Sequence, residues 1–335
     1  MESILITGAS GFIGSFIVEE ALNRSFQTWA GVRSSSSKKY LCNPLIHFQE
    51  LDFSHPDRLK AQLQAHKDIE GKFDYVVHLA GVTKCIDKKD FERVNYLQTR
   101  CFIETLKALD MVPKQFIYMS SLSVCGPLHE SDYLPIDDND VPQPNTAYGV
   151  SKWKSEQYIC NESGLNYVIF RPTGVYGPRE KDYYLMAKSI RSHIDFAVGY
   201  KQQDLTFIYV KDLVNAVFLA IDKQVSGKMY FLTDGEVYQS RAFSNFIQKE
   251  LGNPFVIHLK CPLFILKIVS LSAEFIAKCS KKSSTLNADK YKIMKQRNWR
   301  CDISSAKKEL GYLPKYQLEK GVHETIAWYL KEGWL

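Results

Sequence analysis

The sequence predicts an α/β protein: a doubly wound parallel sheet with a smaller C-terminal lobe. Three observations point there. In the first 170 residues short β-rich runs alternate with longer helical stretches, and such alternation forces parallel pairing with helical crossovers on both sheet faces. A glycine-punctuated turn (Gly8, Gly11, Gly14) joins the first run to the first helical stretch. At 335 residues, 45% of them hydrophobic, the chain suits one large domain or a main domain with a smaller second one.

Strands are expected at residues 3–7, 28–32, 46–49, 75–79, 115–119 and 167–170, with helices over 13–22, 58–66, 91–109 and 152–160 between them. After Arg171 the rhythm loosens. Pro172, Gly174, Gly177 and Pro178 punctuate a loop; a strand at 205–210, a helix over 212–221 and a strand at 228–232 follow. Trp299, Trp328 and Trp334 are expected to cap the second lobe. This divides the chain into 1–170 and 171–335, partly interleaved because later strands can return to the first sheet. Residues 34–37, all serine, read as a flexible loop after the second strand. In such a fold the ligand crevice lies at the carboxyl ends of the strands.

Composition narrows the function. Met1 leads almost at once into the first strand, with no basic region or cleavage site, so no leader is expected. No apolar run reaches the roughly 18 residues of a spanning helix; residues 261–277 come nearest and are broken by Lys267 and Glu274. The eight cysteines form no C-x-x-C pair, so no metal site is expected. They read as reduced thiols at a cytoplasmic address. The net charge of +6 is mild. The pairs Lys38-Lys39, Lys88-Lys89 and Lys281-Lys282 are isolated and read as solvated surface, and no basic stripe suggests nucleic acid. A small-molecule substrate is expected, with neither nucleic acid nor membrane as partner.

The stretch Thr7-Gly8-Ala9-Ser10-Gly11-Phe12-Ile13-Gly14 follows a strand and opens a helix. Glycines serve where the chain turns sharply and where backbone approaches phosphate. The helix N-terminus then offers N–H groups and a positive dipole to a pyrophosphate. In that context the turn predicts a dinucleotide held by Gly8, Ser10, Gly11, Phe12, Ile13 and Gly14, within a Rossmann-type sheet. An acidic residue ending the second strand would bind an adenosine ribose 2′-hydroxyl. Here Val32-Arg33-Ser34-Ser35 stands instead. Arg33 and the serines suit a 2′-phosphate, which predicts NADP(H), with NAD(H) as the alternative.

Tyr148 and Lys152 lie four apart at the start of a predicted helix and so share a face. A tyrosine pKa near 10 is too high for a base at neutral pH, and an adjacent ammonium favours the phenolate. Lys152 is also placed to hold the nicotinamide ribose. The apolar run 116–119 ends in Ser120-Ser121 at the crevice edge, where a hydroxyl would stabilise developing oxyanion charge.

Together, the G-x-x-G-x-x-G turn and Tyr148-Gly149-Val150-Ser151-Lys152 resemble the extended branch of the short-chain dehydrogenase/reductase superfamily, with its epimerases, dehydratases, dihydroflavonol reductases and 3β-hydroxysteroid dehydrogenases. The likeness spans nearly the whole chain, to Leu310-Gly311-Tyr312 and Trp328-Tyr329. It implies an enzyme with the catalytic hydroxyl on Ser121, beside Tyr148 and Lys152, with Cys125 in place of a usual tyrosine. Cofactor contacts are implied for Asp52 and Phe53 near the adenine, for Leu79, Ala80 and Gly81 along the cofactor, and for Pro172 near the carboxamide. Asn95 resembles a family position supporting this region, and a buried capping role is open to it too. A homodimer through the helices at 91–109 and 152–160 is also implied.

Departures from the family pattern bear on substrate. Leu122 and Ser123 replace the Asp-Glu pair of 4,6-dehydratases. Gly174 stands where nucleotide-sugar enzymes commonly have Asn, and Leu205 where they often have Arg. A diphosphate site would want those groups. Residues 262–269 suggest an apolar lid, a core or interface helix, or a membrane-surface helix. The expected activity is hydride exchange between nicotinamide and a carbonyl or alcohol of an apolar small molecule, with Tyr148 as acid/base. A nucleotide-sugar 4-epimerase is the alternative. A non-catalytic dinucleotide-binding regulator is disfavoured, because it would be expected to lack Tyr148 or Lys152.

Overall fold

The computed structural model describes residues 1–279 and 287–335, which leaves Lys281 and Lys282 outside the described residues. The first half of the chain runs β1 (Ser3–Thr7), α1 (Phe12–Asn23), β2 (Gln27–Val32), β3 (His47–Glu50), α2 (Pro56–Glu70), β4 (Tyr75–His78) and α3 (Lys89–Phe91). A π-helical turn (Glu92–Leu97) leads into α4 (Gln98–Ala108); β5 (Gln115–Met119), α5 (Ala147–Asn161) and β6 (Tyr167–Pro172) follow. The second half runs β7 (Gly174–Tyr176), α6 (Asp182–Arg191), β8 (Ile194–Val198), β9 (Asp204–Leu205), β10 (Phe207–Tyr209), α7 (Val210–Asp222), β11 (Lys228–Leu232) and β12 (Tyr238–Gln239). It ends with α8 (Ala242–Glu250), β13 (Ile257–Cys261), α9 (Leu263–Cys279), α10 (Ala288–Lys295) and α11 (Leu318–Lys331).

Two compact units emerge. The first gathers Met1–Ser121, Val150–Arg171 and Val214–Tyr230; the second gathers Leu122–Gly149, Pro172–Leu213 and Phe231–Leu335. The main sheet has seven strands in the order β11-β6-β5-β4-β1-β2-β3, and β3 through β6 pair in parallel. Strand order reverses between β1 and β4, which opens a crevice at their carboxyl ends. Leu5, Val76, Phe116 and Ile169 turn to one face and pack with Leu59 and Leu63 of α2, Phe102 and Leu106 of α4, and Ile159 of α5. Each such burial contributes roughly 1.5–3 kcal/mol. The alternate residues Ile4, Ile6, Val77 and Ile117 are equally buried and point to the opposite face. There α7 lies with Phe218 5.9 Å from Phe26 and the Ala220 carbonyl accepting from Gln115 Nε2 at 3.0 Å.

The second unit is built on aromatic rings. Tyr176, Phe207, Tyr209, Phe243 and Tyr329 form its buried centre. Gly321 of α11 lies flat against the Tyr176 ring, where a β-carbon would come within 2.0 Å of the hydroxyl. Trp334 stacks on Tyr329 and meets Trp328 and Tyr184. Trp299 does not join that cap; its carbonyl accepts from Thr206 Oγ1 at 2.5 Å.

The strands expected from the sequence are found to within two residues except at 205–210; β7 forms where a loop was expected, by pairing with β10, and β8, β12 and β13 were not expected. The strand expected at 205–210 is two short strands, because Thr206 turns its hydroxyl inward to Trp299 and Thr173. Most of the helices run longer than expected. Pro56 supplies the first turn of α2, and α5 begins five residues earlier, at Ala147, which puts Tyr148 inside it. The single helix expected over 91–109 is interrupted by the π-helical turn. The serine run is not a loose loop. Ser36 N donates to Arg33 O at 2.9 Å and Arg33 N to Ser36 Oγ at 3.0 Å, closing a tight turn.

Candidate active site

The turn after β1 is dictated by its glycines. Gly8 adopts φ +69°, a left-handed conformation, and a β-carbon there would press on Leu79 and Ala80 backbone at 3.0 Å. Gly14 sits over the turn so closely that a β-carbon would come within 2.3 Å of the Gly8 carbonyl oxygen. Gly11 N donates to that oxygen at 2.9 Å and begins α1. No side chain caps α1 and no acidic residue sits in its first turn. Its N–H groups and dipole are therefore available to an anion. Phe12 and Ile13 form that first turn, with Phe12 edge-on to Phe16 at 6.0 Å.

A cleft of about 460 Å³ opens beside this turn, lined by Gly8, Ser10, Gly11, Arg33, Phe53, Leu79, Ala80 and Gly81, among others. Eight of the residues that the sequence nominates thus come together in the first unit. Asp52 is not among the lining residues. Its carboxylate accepts from Ser54 Oγ at 2.6 Å, Ser54 N and His55 Nδ1, contacts that hold its pKa down at about 2. The neighbouring Phe53 does face the cleft. The cleft's walls and charge suit a dinucleotide: glycine backbone for the phosphates, an apolar ring for a base, and the exposed Arg33 at the rim.

Beneath the cleft lies a polar network inside an apolar sheet. Thr7 Oγ1 accepts from Leu79 N and Ala80 N, both at 3.2 Å, which fixes the loop after β4. His78 bridges Thr7 Oγ1 at 2.8 Å and Thr99 Oγ1 at 3.0 Å. Thr99 gives its only proton to the Asn95 carbonyl, so His78 donates from Nε2 and accepts at Nδ1. Burial first, and the charge of Lys152 second, push the His78 pKa down to about 3, so it stays neutral.

Asn95 is fully buried in the π-helical turn, a device common at functional sites. Its Oδ1 accepts from Val82 N at 2.7 Å, and its Nδ2 donates to Val82 O and Ser151 Oγ. It therefore clamps the cleft loop onto α5.

Lys152 is 5% exposed. Its Nζ donates to Met119 O at 2.8 Å and lies 4.7 Å over the Tyr118 ring. A β-carbon on Gly81 would stand 3.8 Å from it, so the ammonium lies close behind this glycine of the cleft wall. Burial pushes its pKa down to about 8, opposed by Glu156 one turn on. Glu156 is itself held by Arg171 at 2.7 Å, both nearly inaccessible. Tyr148 lies one turn before Lys152 on α5, half-buried; Ser121 is the second residue beyond β5, also half-buried; Pro172 closes β6 and is buried. Cys125 is buried, and its carbonyl accepts from Gln143 N at 3.0 Å.

The sequence offered Thr7, His78 and Ser151 only as members of longer motifs, with no role of their own, and did not point to Thr99. The available signal was a polar residue ending each of two otherwise apolar central strands, Thr7 in β1 and His78 in β4.

In the second unit, Gly174 is covered. A β-carbon there would come within 2.5 Å of the Tyr183 hydroxyl and 3.4 Å of the Phe207 ring. Tyr183 stacks on Phe243 at 4.4 Å, and burial pushes its pKa well above the ordinary phenol value.

Comparison with known proteins agrees with this picture. The sequence profile of the NAD dependent epimerase/dehydratase family matches residues 4–232. A sterol-4-alpha-carboxylate 3-dehydrogenase (decarboxylating) of Candida albicans is 24% identical, covering 98% of this chain and 97% of its own. The structure of a Thermotoga maritima UDP-glucose 4-epimerase with UDP-glucose superposes with TM-score 0.79 at 22% identity, covering 98% and 99%. A Bacillus cereus UDP-glucuronic acid 4-epimerase in complex with NAD gives TM-score 0.73 at 20% identity, covering 99% and 100%. At these identities the two structures establish a shared fold.

Proposed function

The chain belongs to the NAD dependent epimerase/dehydratase family, and from that premise we propose an NADP(H)-preferring dehydrogenase or reductase acting on an apolar, cyclic hydroxyl or carbonyl compound. In this reading residues 1–170 chiefly serve the cofactor and 171–335 the substrate, the two partly interleaved as the compact units are, in a homodimer at a cytoplasmic address. When bound, the nicotinamide supplies or accepts the hydride. The chain's own groups handle the proton. Tyr148 gives its phenolic proton to the substrate oxygen during reduction, or takes one during oxidation. Lys152 favours the phenolate by its charge and holds the cofactor's ribose. Ser121 donates a hydrogen bond to the reacting oxygen and stabilises its developing negative charge.

The observation that carries the substrate class is Gly174. Where nucleotide-sugar enzymes commonly present an Asn, a Tyr183 hydroxyl fills the space within an aromatic cluster. That environment favours an apolar ring over a diphosphate, and the sterol dehydrogenase relative is in keeping with it. The test is nicotinamide absorbance with two panels, sterol-like and aromatic ketones or alcohols, and nucleotide sugars. Net NADPH consumption or NADP reduction on the first panel is expected. Conversion of a nucleotide sugar to its epimer without net absorbance change would replace this reading by the epimerase.

Arg33 supports the NADP preference, exposed at the cleft rim in a turn that presents both its guanidinium and Ser36. Arg33→Asp should weaken NADPH binding by at least about tenfold, the loss of one charge-assisted contact, and favour NADH. Tighter NADH than NADPH binding by the unaltered chain would sink the preference.

A further inference from the structure

Helix α9 is inside out. Leu266 and Ser270 are buried, and Ala273 and Glu274 are half-buried, forming the stripe that faces the protein. The opposite stripe, Phe264, Ile268, Leu271 and Phe275, follows helical spacing and is 66%, 60%, 49% and 69% exposed. The large apolar side chains point outward, and the helix's one carboxylate turns back to accept from Ala288 N at 3.0 Å. The preceding ribbon extends the same surface. In β13, Ile257 and Leu259 share a face and are exposed, and Leu259 pairs with the exposed Phe196 of β8. Only Pro262 separates β13 from α9, and Leu263 packs on Gly199 just beyond β8. Single exposed hydrophobes need no explanation, but a continuous face of this kind does.

Charge identifies what covers it. Lys267 flanks the stripe on α9, and Lys201 and Lys260 are exposed on the chain just after β8 and near the end of β13. Across residues 255–276 the sequence carries two lysines, Lys260 and Lys267, and one acid, Glu274, whose carboxylate is turned back to Ala288. A second copy of the same face would bring lysine against lysine. An anionic bilayer would accept the rings among its acyl chains and the ammonium groups among its headgroups. Among the described residues no helix is long and apolar enough to cross a membrane. We propose that α9 and the β8–β13 ribbon seat this protein on the surface of an anionic lipid bilayer, lying in the interface rather than spanning it. This departs from the sequence expectation of no membrane partner and does not depend on the substrate assignment.

The test floats the full chain on a density gradient with vesicles of phosphatidylcholine, with and without phosphatidylserine. Wild-type protein should float with the phosphatidylserine vesicles, less so as salt rises. Ile268→Glu/Phe275→Glu should lower the bound fraction by at least about 100-fold, with cofactor affinity and melting temperature unchanged, since both side chains are exposed. Lys260→Glu/Lys267→Glu keeps the apolar stripe and should lose the preference for anionic lipid. Wild-type protein that stays at the bottom at low salt would overturn the proposal. So would equal flotation of the first variant, or a wild-type oligomer that this variant splits into monomers in the absence of lipid.

Discussion

Lys152→Met should stabilise the protein by about 2 kcal/mol while lowering turnover by about 10³-fold or more. The cost of the native lysine follows from its surroundings. An unfolded lysine titrates near 10.4, and burial brings the folded value to about 8. Between those values the unfolded chain binds more protons, so stability rises with pH from about 8 to 10.4. Below that window the charged, buried ammonium costs on the order of 3 kcal/mol, at 1.36 kcal/mol per pH unit. Losing the hydrogen bond to Met119 O offsets part of the gain. Methionine fills a similar volume without charge. Denaturant unfolding at several pH values checks this: the wild type should gain stability above pH 8, and the variant should not. In the proposed mechanism activity falls because the charge that favours the Tyr148 phenolate from one helical turn away is removed. A variant less stable than wild type at pH 7, or one that retains activity, would contradict the account. Stability given up for a functional charge is common at active sites.

Arg171→Met should destabilise the first unit by about 3–5 kcal/mol, the usual cost of stranding one member of a buried ion pair. The Arg171 and Glu156 side chains are 7% and 1% exposed, and the guanidinium donates from two nitrogens, at 2.7 and 3.1 Å. Removing only the arginine leaves a carboxylate with no way to water, one turn from Lys152. Arg171→Met/Glu156→Met removes both charges and should recover to within about 1–2 kcal/mol of wild type. Equilibrium unfolding of the three proteins decides it. A single variant costing under about 1 kcal/mol would mean that water reaches Glu156.

Much of this was legible in the sequence because the local signals agree with the tertiary ones. Gly8, Gly11 and Gly14 are required by backbone contacts only a few residues away, so the turn can be recognised without the rest of the fold. The central strands β1, β4, β5 and β6 are buried on both faces and read as largely apolar runs. The less legible features depend on distant partners. The π-helical turn follows the apolar rhythm of a helix, and only the bonds from Asn95 to Val82 and Ser151 explain the extra residue. His78 reads as one polar residue at the end of a strand until Thr7 and Thr99 are seen on either side of it. The apolar segment at 262–269 was open to several readings, because periodicity reveals an apolar stripe without saying whether it faces inward or outward.

The order of strands in the main sheet also has a consequence for synthesis. β6 ends at Pro172, yet its outer neighbour, β11, is completed only at Leu232. At ribosomal rates of about 5–20 residues per second, the nascent chain carries an open β6 edge for on the order of 3–12 s. An open apolar edge is a template for pairing with another chain. This interval, more than the stability of the finished protein, is when a crowded cell would divert the chain into aggregates, and when a chaperone would have most to contribute.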